Sequence, residues 1–165
     1  MLETLDGLSS LHTALDVNIE HNYLLEDVSA LSSLQTVDGR LSFQNNTVLT
    51  NLDGLEGVEK VGGDLFIFDH DVLDDLSGLS SIEEVSGTIH IAGNYGLTSF
   101  AGMENLSTVG NNLKVSTNPG LSNLEGFSGL SQLGNSLEVY NNDGLVSLEG
   151  LSSLTNVPYD IEIEQ

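Results

Sequence analysis

A leucine returns every 24 residues: Leu25, Leu49, Leu73, Leu97, Leu121 and Leu145 each open a unit written LxxLxGLxxLxxVxGxLxIxxNxx, and Leu2 opens one that is a residue shorter. A unit this short cannot bury its apolar side alone. It must stack on copies of itself, and a fixed period of this length is the mark of a solenoid. The expected fold is a right-handed solenoid of seven coils, mainly parallel β with short helical turns. The coils run over about 2–24, 25–48, 49–72, 73–96, 97–120, 121–144 and 145–165. Residues 1–165 show no composition shift or Pro-rich stretch to mark a linker, so they read as one repeat domain.

Within each unit an apolar pair brackets one variable residue: Val17/Ile19, Leu41/Phe43, Leu65/Ile67, Ile89/Ile91, Leu113/Val115, Leu137/Val139 and Ile161/Ile163. Alternation of this kind is a short strand with one face inward, and stacked coils would pair these strands in parallel at roughly 4.8 Å per rung. The rest of the unit places apolar residues three apart, as in Leu49, Leu52, Leu55, Val58 and Val61, which suits corners or short helical turns better than a long helix. Gly39, Gly63 and Gly87, with Asn111 and Asn135 in their place further on, precede the strand and suggest a left-handed turn there. Three residues after the strand come Asn22, Asn46, His70, Asn94, Asn118 and Asn142. A buried asparagine can bond backbone groups of adjacent coils with both its amide and its carbonyl, so this column is expected to be a structural ladder, with His70 filling the same slot through a ring nitrogen.

The chain carries 25 acidic residues against 3 basic ones, a formal charge of -22, which repels polyanions and anionic lipid surfaces. Nucleic acid is therefore not an expected partner. With no cysteine, neither disulfides nor thiolate metal sites hold the fold, and stability must come from packing. No apolar run approaches the roughly 18 residues that span a bilayer, so membrane insertion is not expected. Both ends fall inside the repeat, from which the expectation is a fragment of a longer protein, with Met1 added or retained for expression.

The unit VxGxLxIxxNxxLxxLxGLxxL resembles the leucine-rich repeat, and within that family it is most similar to the receptor L-domain variant. Asn118-Pro119-Gly120-Leu121 and Asn142-Asp143-Gly144-Leu145 resemble its NPxL segment. The resemblance covers essentially the whole chain and implies a ligand-binding surface module, with microbial cell-surface proteins the better comparison because cysteines and distinct caps are missing.

Outward positions can be compared by adding 24. One strand-face column runs Asn18, Ser42, Phe66, His90, Lys114, Glu138, Glu162, and the next runs Glu20, Gln44, Phe68, Ala92, Ser116, Tyr140, Glu164. Neither is the regular threonine array that would order ice. Phe66 and Phe68 stand together beside His90 where other coils offer small or polar groups, and with Tyr140 they are the candidate contact residues for a protein or a stacked sugar. Asp69, Asp71, Asp74 and Asp75, around His70, form the densest acidic stretch. Oxygen ligands so spaced could hold Ca²⁺, and Asp with His could hold a transition metal, although a solvated acidic rim is the favoured reading because neither an EF-hand loop nor the nonapeptide of calcium-binding β-rolls is present. Asn45-Asn46-Thr47 and Asn105-Leu106-Ser107 fit the glycosylation sequon. Glu138 and Glu162, one rung apart, are the only carboxylate pair that invites a glycosidase reading, and no surrounding loops supply a cleft.

The sequence thus leads to a non-catalytic extracellular or cell-surface module that binds a protein or glycan through its strand face. Self-association end to end or through that face is a further expectation, a structural spacer is the alternative, and a glycan-active enzyme is the distant one. The three basic residues each have an acid one coil onward, so Arg40–Asp64, Lys60–Glu84 and Lys114–Glu138 are expected to pair.

Overall fold

Alternating apolar and polar positions become strands where inward side chains can stack on their own kind, and the repeat supplies that partner every 24 residues. The computed structural model describes residues 2–165. Seven long strands, Val17–Glu20, Leu41–Gln44, Leu65–Phe68, Ile89–Ala92, Leu113–Ser116, Leu137–Tyr140 and Ile161–Glu164, form one parallel sheet in chain order. Its register is that of the repeat throughout, from Val17 opposite Leu41 to Ile163 opposite Val139. A second parallel sheet is built from six two-residue strands, Thr13–Ala14, Thr36–Val37, Lys60–Val61, Glu84–Val85, Thr108–Val109 and Gln132–Leu133. The protein is a parallel β-solenoid of about six turns, with very little helix.

The seventh unit of the sequence reading contributes a long strand but no short one. In the preceding coils the residue after the short strand donates its N–H to the coil before, as Gly110 does to the Val85 carbonyl and Gly134 to the Val109 carbonyl. The next position in that series is Pro158, which has no N–H to donate. The missing residue of the first unit falls in the same corner. Thr13 lies opposite Thr36, a step of 23, whereas Val17 lies opposite Leu41, a step of 24, so the shortening is confined to the two residues between Ala14 and Val17.

The left-handed turn expected before the strand is found elsewhere. Gly39, Gly63, Gly87, Asn111 and Asn135 are not left-handed; they stack backbone on backbone, Gly63 N–H donating to the Gly39 carbonyl and Asn135 N–H to the Asn111 carbonyl. A Cβ on Gly63 would sit 2.8 Å from the Gly39 carbonyl carbon, so here glycine serves close approach. Left-handed residues instead directly follow the long strand, at His21, Asn45, Asp69, Gly93, Thr117 and Asn141, and turn the chain so that the next residue, the ladder position, enters the interior.

The three-residue spacing gives short turns of two kinds. Asp6–Leu8, Ser29–Leu31, Ser77–Leu79 and Glu125–Phe127 are 3-10 turns, while Gly54, Gly102 and Gly150 occupy the same place in the intervening coils with φ of 112°, 100° and 108°. The Glu56 and Glu104 carboxylates accept the Gly54 and Gly102 N–H groups, at 2.9 and 3.0 Å. Where serine stands instead, as at Ser32, Ser80 and Ser128, its own N–H closes the 3-10 turn three residues back. Inside these corners the apolar columns are dry: Leu49, Leu52, Leu55, Val58, Val61, Leu65 and Ile67 of one coil have no exposed surface, and Phe100 packs on Phe127 of the next coil at 4.7 Å between ring centroids.

Because each coil is covered only by its neighbours, one substitution should have different costs along one column. Leu79, fully buried in the middle of the stack, should lose about 2–5 kcal/mol when changed to alanine. Leu8, 41% exposed in the first coil, should lose about 1 kcal/mol or less. Denaturant unfolding of the two variants gives the comparison, and equal losses would contradict the stacked arrangement.

Candidate functional site

The two outward columns of the long-strand sheet lie where the repeat period places them. Ser42, Phe66 and His90 are register neighbours, as are Gln44, Phe68 and Ala92. Phe66 and Phe68 stack at 5.3 Å between centroids, and His90 stands edge-on to Phe68 at 4.6 Å and to Phe66 at 6.4 Å. The Arg40 guanidinium lies 5.1 Å from the Phe66 centroid, a cation–π contact that joins a fourth residue to the cluster. The rings are half-buried by these contacts rather than free in water. Beneath them Ser42 is completely covered, although it sits on the outward side of its strand, and its hydroxyl accepts from Gln44 Nε2 at 3.0 Å.

His90 closes the other side of the group, with Nε2 3.4 Å from the hydroxyl of Ser116, itself only 3% exposed. Burial beside the two phenylalanines, and then the positive charge of Lys114, push the His90 pKa down to about 4; Glu138 acts in the opposite direction. The ring is therefore neutral at pH 7. Tyr140, the fourth candidate contact residue, lies two rungs beyond His90 and belongs to a separate group: Lys114 Nζ is 5.2 Å from its ring and 2.8 Å from Glu138. The Glu138 carboxylate holds the Lys114 pKa above the usual lysine value.

All three expected charge pairs form, Arg40–Asp64 at 3.7 Å, Lys60–Glu84 at 2.7 Å and Lys114–Glu138 at 2.8 Å. Asp64 has a second task, accepting the Thr88 N–H at 2.9 Å. In the acidic stretch, Asp75 accepts both the N–H and the hydroxyl of Ser77, at 2.8 and 2.6 Å, in a turn that Asp27 repeats two coils earlier with Ser29. Asp69 occupies a left-handed corner. Among the described residues no group of three His, Asp or Glu side chains is placed to hold a metal ion; Asp69, Asp71 and Asp74 are exposed, and Asp75 is half-buried in its turn.

The ladder residues Asn46, His70, Asn94, Asn118 and Asn142 are buried, and Asn22 in the first coil is half-buried. Each interior asparagine carbonyl accepts from the residue one coil back, as Asn118 Oδ1 does from the Asn94 N–H at 3.1 Å. Each amide donates to a strand carbonyl of that same coil, as Asn118 Nδ2 does to Ile91 at 3.1 Å. His70 fills the slot with its ring, its Nδ1–H directed at Asn94 Oδ1 over 3.0 Å. Burial lowers the His70 pKa, against the Asn94 bond and the charges of Asp69 and Asp71.

Sequence reasoning grouped Phe66, Phe68 and His90 and missed Arg40, whose residue precedes the strand by one place and signalled only an ion pair. It also missed that Ser42 and Ser116 serve as the floor for larger neighbours. In comparisons with protein-family models, with curated proteins and with solved structures, nothing matches this chain. Among the described residues no helix is long and apolar enough to cross a membrane.

The depressed His90 pKa has a signed consequence. A histidine near 6.5 unfolded and about 4 folded supports the folded state fully above pH 6.5, and that support is lost as pH falls from 6.5 to 4. His90→Gln should flatten that part of the stability profile, and ring NMR should give a midpoint near 4. A midpoint near 6.5 would contradict the burial described.

Proposed function

We propose that the protein is a non-catalytic recognition module of a secreted or cell-surface protein, which binds a protein or glycan through its long-strand face. In this reading its seven units are leucine-rich repeats of the receptor L-domain type. The observation that carries the proposal is the cluster of Phe66, Phe68 and His90, half-exposed on a regular parallel sheet whose other outward positions, Tyr140 apart, are small or polar. Exposed aromatics on a rigid surface retain burial worth roughly 1.5–3 kcal/mol each for a partner to recover in full, here reduced by what Arg40 and His90 already cover. Support for the family reading is the 24-residue register with a buried asparagine after four of the seven long strands, at Asn46, Asn94, Asn118 and Asn142. A charge of -22 favours partners other than nucleic acid or anionic lipid.

A structural spacer is the second reading, favoured by the packing of Arg40 and His90 on the rings, which recovers part of their burial within the chain. Catalysis by Glu138 and Glu162 is the weakest, since Glu138 is engaged by Lys114. Binding to protein and glycan arrays, wild type beside Phe66→Ser/Phe68→Ser, separates the first two. Recognition predicts ligands lost by at least about tenfold in affinity in a variant that still folds, as removal of two anchor residues should produce. Absence of any ligand, or ligands unaffected by the change, favours the spacer.

A further inference from the structure

The asparagine ladder is interrupted at one rung. Where it is intact, the backbone N–H of one ladder residue donates to the side-chain carbonyl 24 residues on: Asn22 to Asn46 at 3.0 Å, Asn94 to Asn118 at 3.1 Å and Asn118 to Asn142 at 3.0 Å. The side-chain amides meanwhile tie back to strand carbonyls of the previous coil, Asn46 to Ile19 at 2.8 Å, Asn94 to Ile67 at 3.0 Å and Asn142 to Val115 at 3.0 Å. His70 has no carbonyl oxygen to offer the Asn46 N–H. Its ring Nδ1 occupies Asn94 Oδ1, the acceptor that its own backbone N–H would otherwise use. Among the described residues neither the Asn46 nor the His70 N–H has an acceptor, and His70 Nε2, fully buried, has no partner.

The coils of Asn46 and His70 share the sheet register and dry apolar columns of their neighbours and meet at the surface through Arg40, but lack both ladder bonds. The coils of His70 and Asn94, by contrast, remain tied at this corner by the His70 ring and by the Tyr95 N–H donating to the His70 carbonyl at 3.0 Å. In a solenoid, stability is a sum over adjacent coils, and the interface with fewest satisfied buried groups opens at the lowest free energy. We infer that the His70 rung is a built-in joint, the interior place at which the solenoid opens, between the coil that ends with Asn46 and the coil that ends with His70. The joint follows Phe68 by two residues, so its opening frees the end of the strand that carries the aromatic pair. Nothing in this depends on a ligand.

Native-state amide hydrogen exchange on the full chain tests the joint, with wild type, His70→Asn and His70→Ala compared. In the wild type the amides of Asn45 and Asn46 should exchange faster than their equivalents Gly93 and Asn94. His70→Asn, which restores both kinds of ladder bond, should raise protection at Asn45 and Asn46 by about fivefold to thirtyfold, the range that one or two recovered bonds correspond to. It should leave the amides around Asn118 unchanged. His70→Ala removes the ring without supplying an amide and should give no such gain. Equal protection at the two sets of amides in the wild type would overturn the joint, as would a His70→Asn protein without the gain. A gain as large in His70→Ala would trace the weakness to the bulk of the ring and would also overturn it.

Discussion

The bond from one asparagine to the next sets the terms for the rest of this molecule. Where the chain leaves the long sheet it turns through a left-handed residue, and its N–H groups pass beyond the reach of the strand ladder while still inside the protein. Unbonded, each would carry a desolvation cost of about 1–3 kcal/mol at every coil. An asparagine one coil on answers this with a single side chain, its carbonyl accepting from the corner and its amide returning to the strand. The same bond fixes the step between coils at 24 residues, because a shift of one would turn each inward leucine out and each corner donor away. Apolar columns supply the driving force, and the polar ladder supplies the alignment.

That alignment makes the outer face useful. Strand positions one period apart become neighbours, so a local irregularity in sequence becomes a patch in space. Phe66 and Phe68 occur in one unit only, yet Arg40 from the coil before and His90 from the coil after meet them, and Ser42 lies covered below. The surplus of acid has structural uses as well: Asp64 and Asp75 accept corner and turn N–H groups, and Glu56 and Glu104 hold glycine turns.

The period made the long sheet, its register, the charge pairs and the ladder legible, because each depends on which residues lie 24 apart. What it did not reveal is local conformation. Glycine suits both a left-handed backbone and a backbone pressed against its neighbour, and Gly63 has the second role while the corner residues after the strand, mostly not glycine, have the first. Two of the three glycine turns are marked by a carboxylate two residues after the glycine, Glu56 and Glu104, but Gly150 is followed by Ser152 as the 3-10 turns are, and the apolar pattern is the same in all of them. Spacing puts His70 in the ladder column, but its unbonded nitrogen depends on distances that spacing does not supply.

The ladder's governing role is tested most directly by Asn118→Ala. Its carbonyl accepts from the Asn94 N–H and its amide donates to Ile91 and Ser116, all in the interior. Equilibrium unfolding combined with exchange of the Asn94 amide should show a loss of about 1–3 kcal/mol or more and an Asn94 N–H that exchanges freely relative to wild type. An unchanged unfolding midpoint with Asn94 still protected would mean that apolar stacking alone aligns the coils.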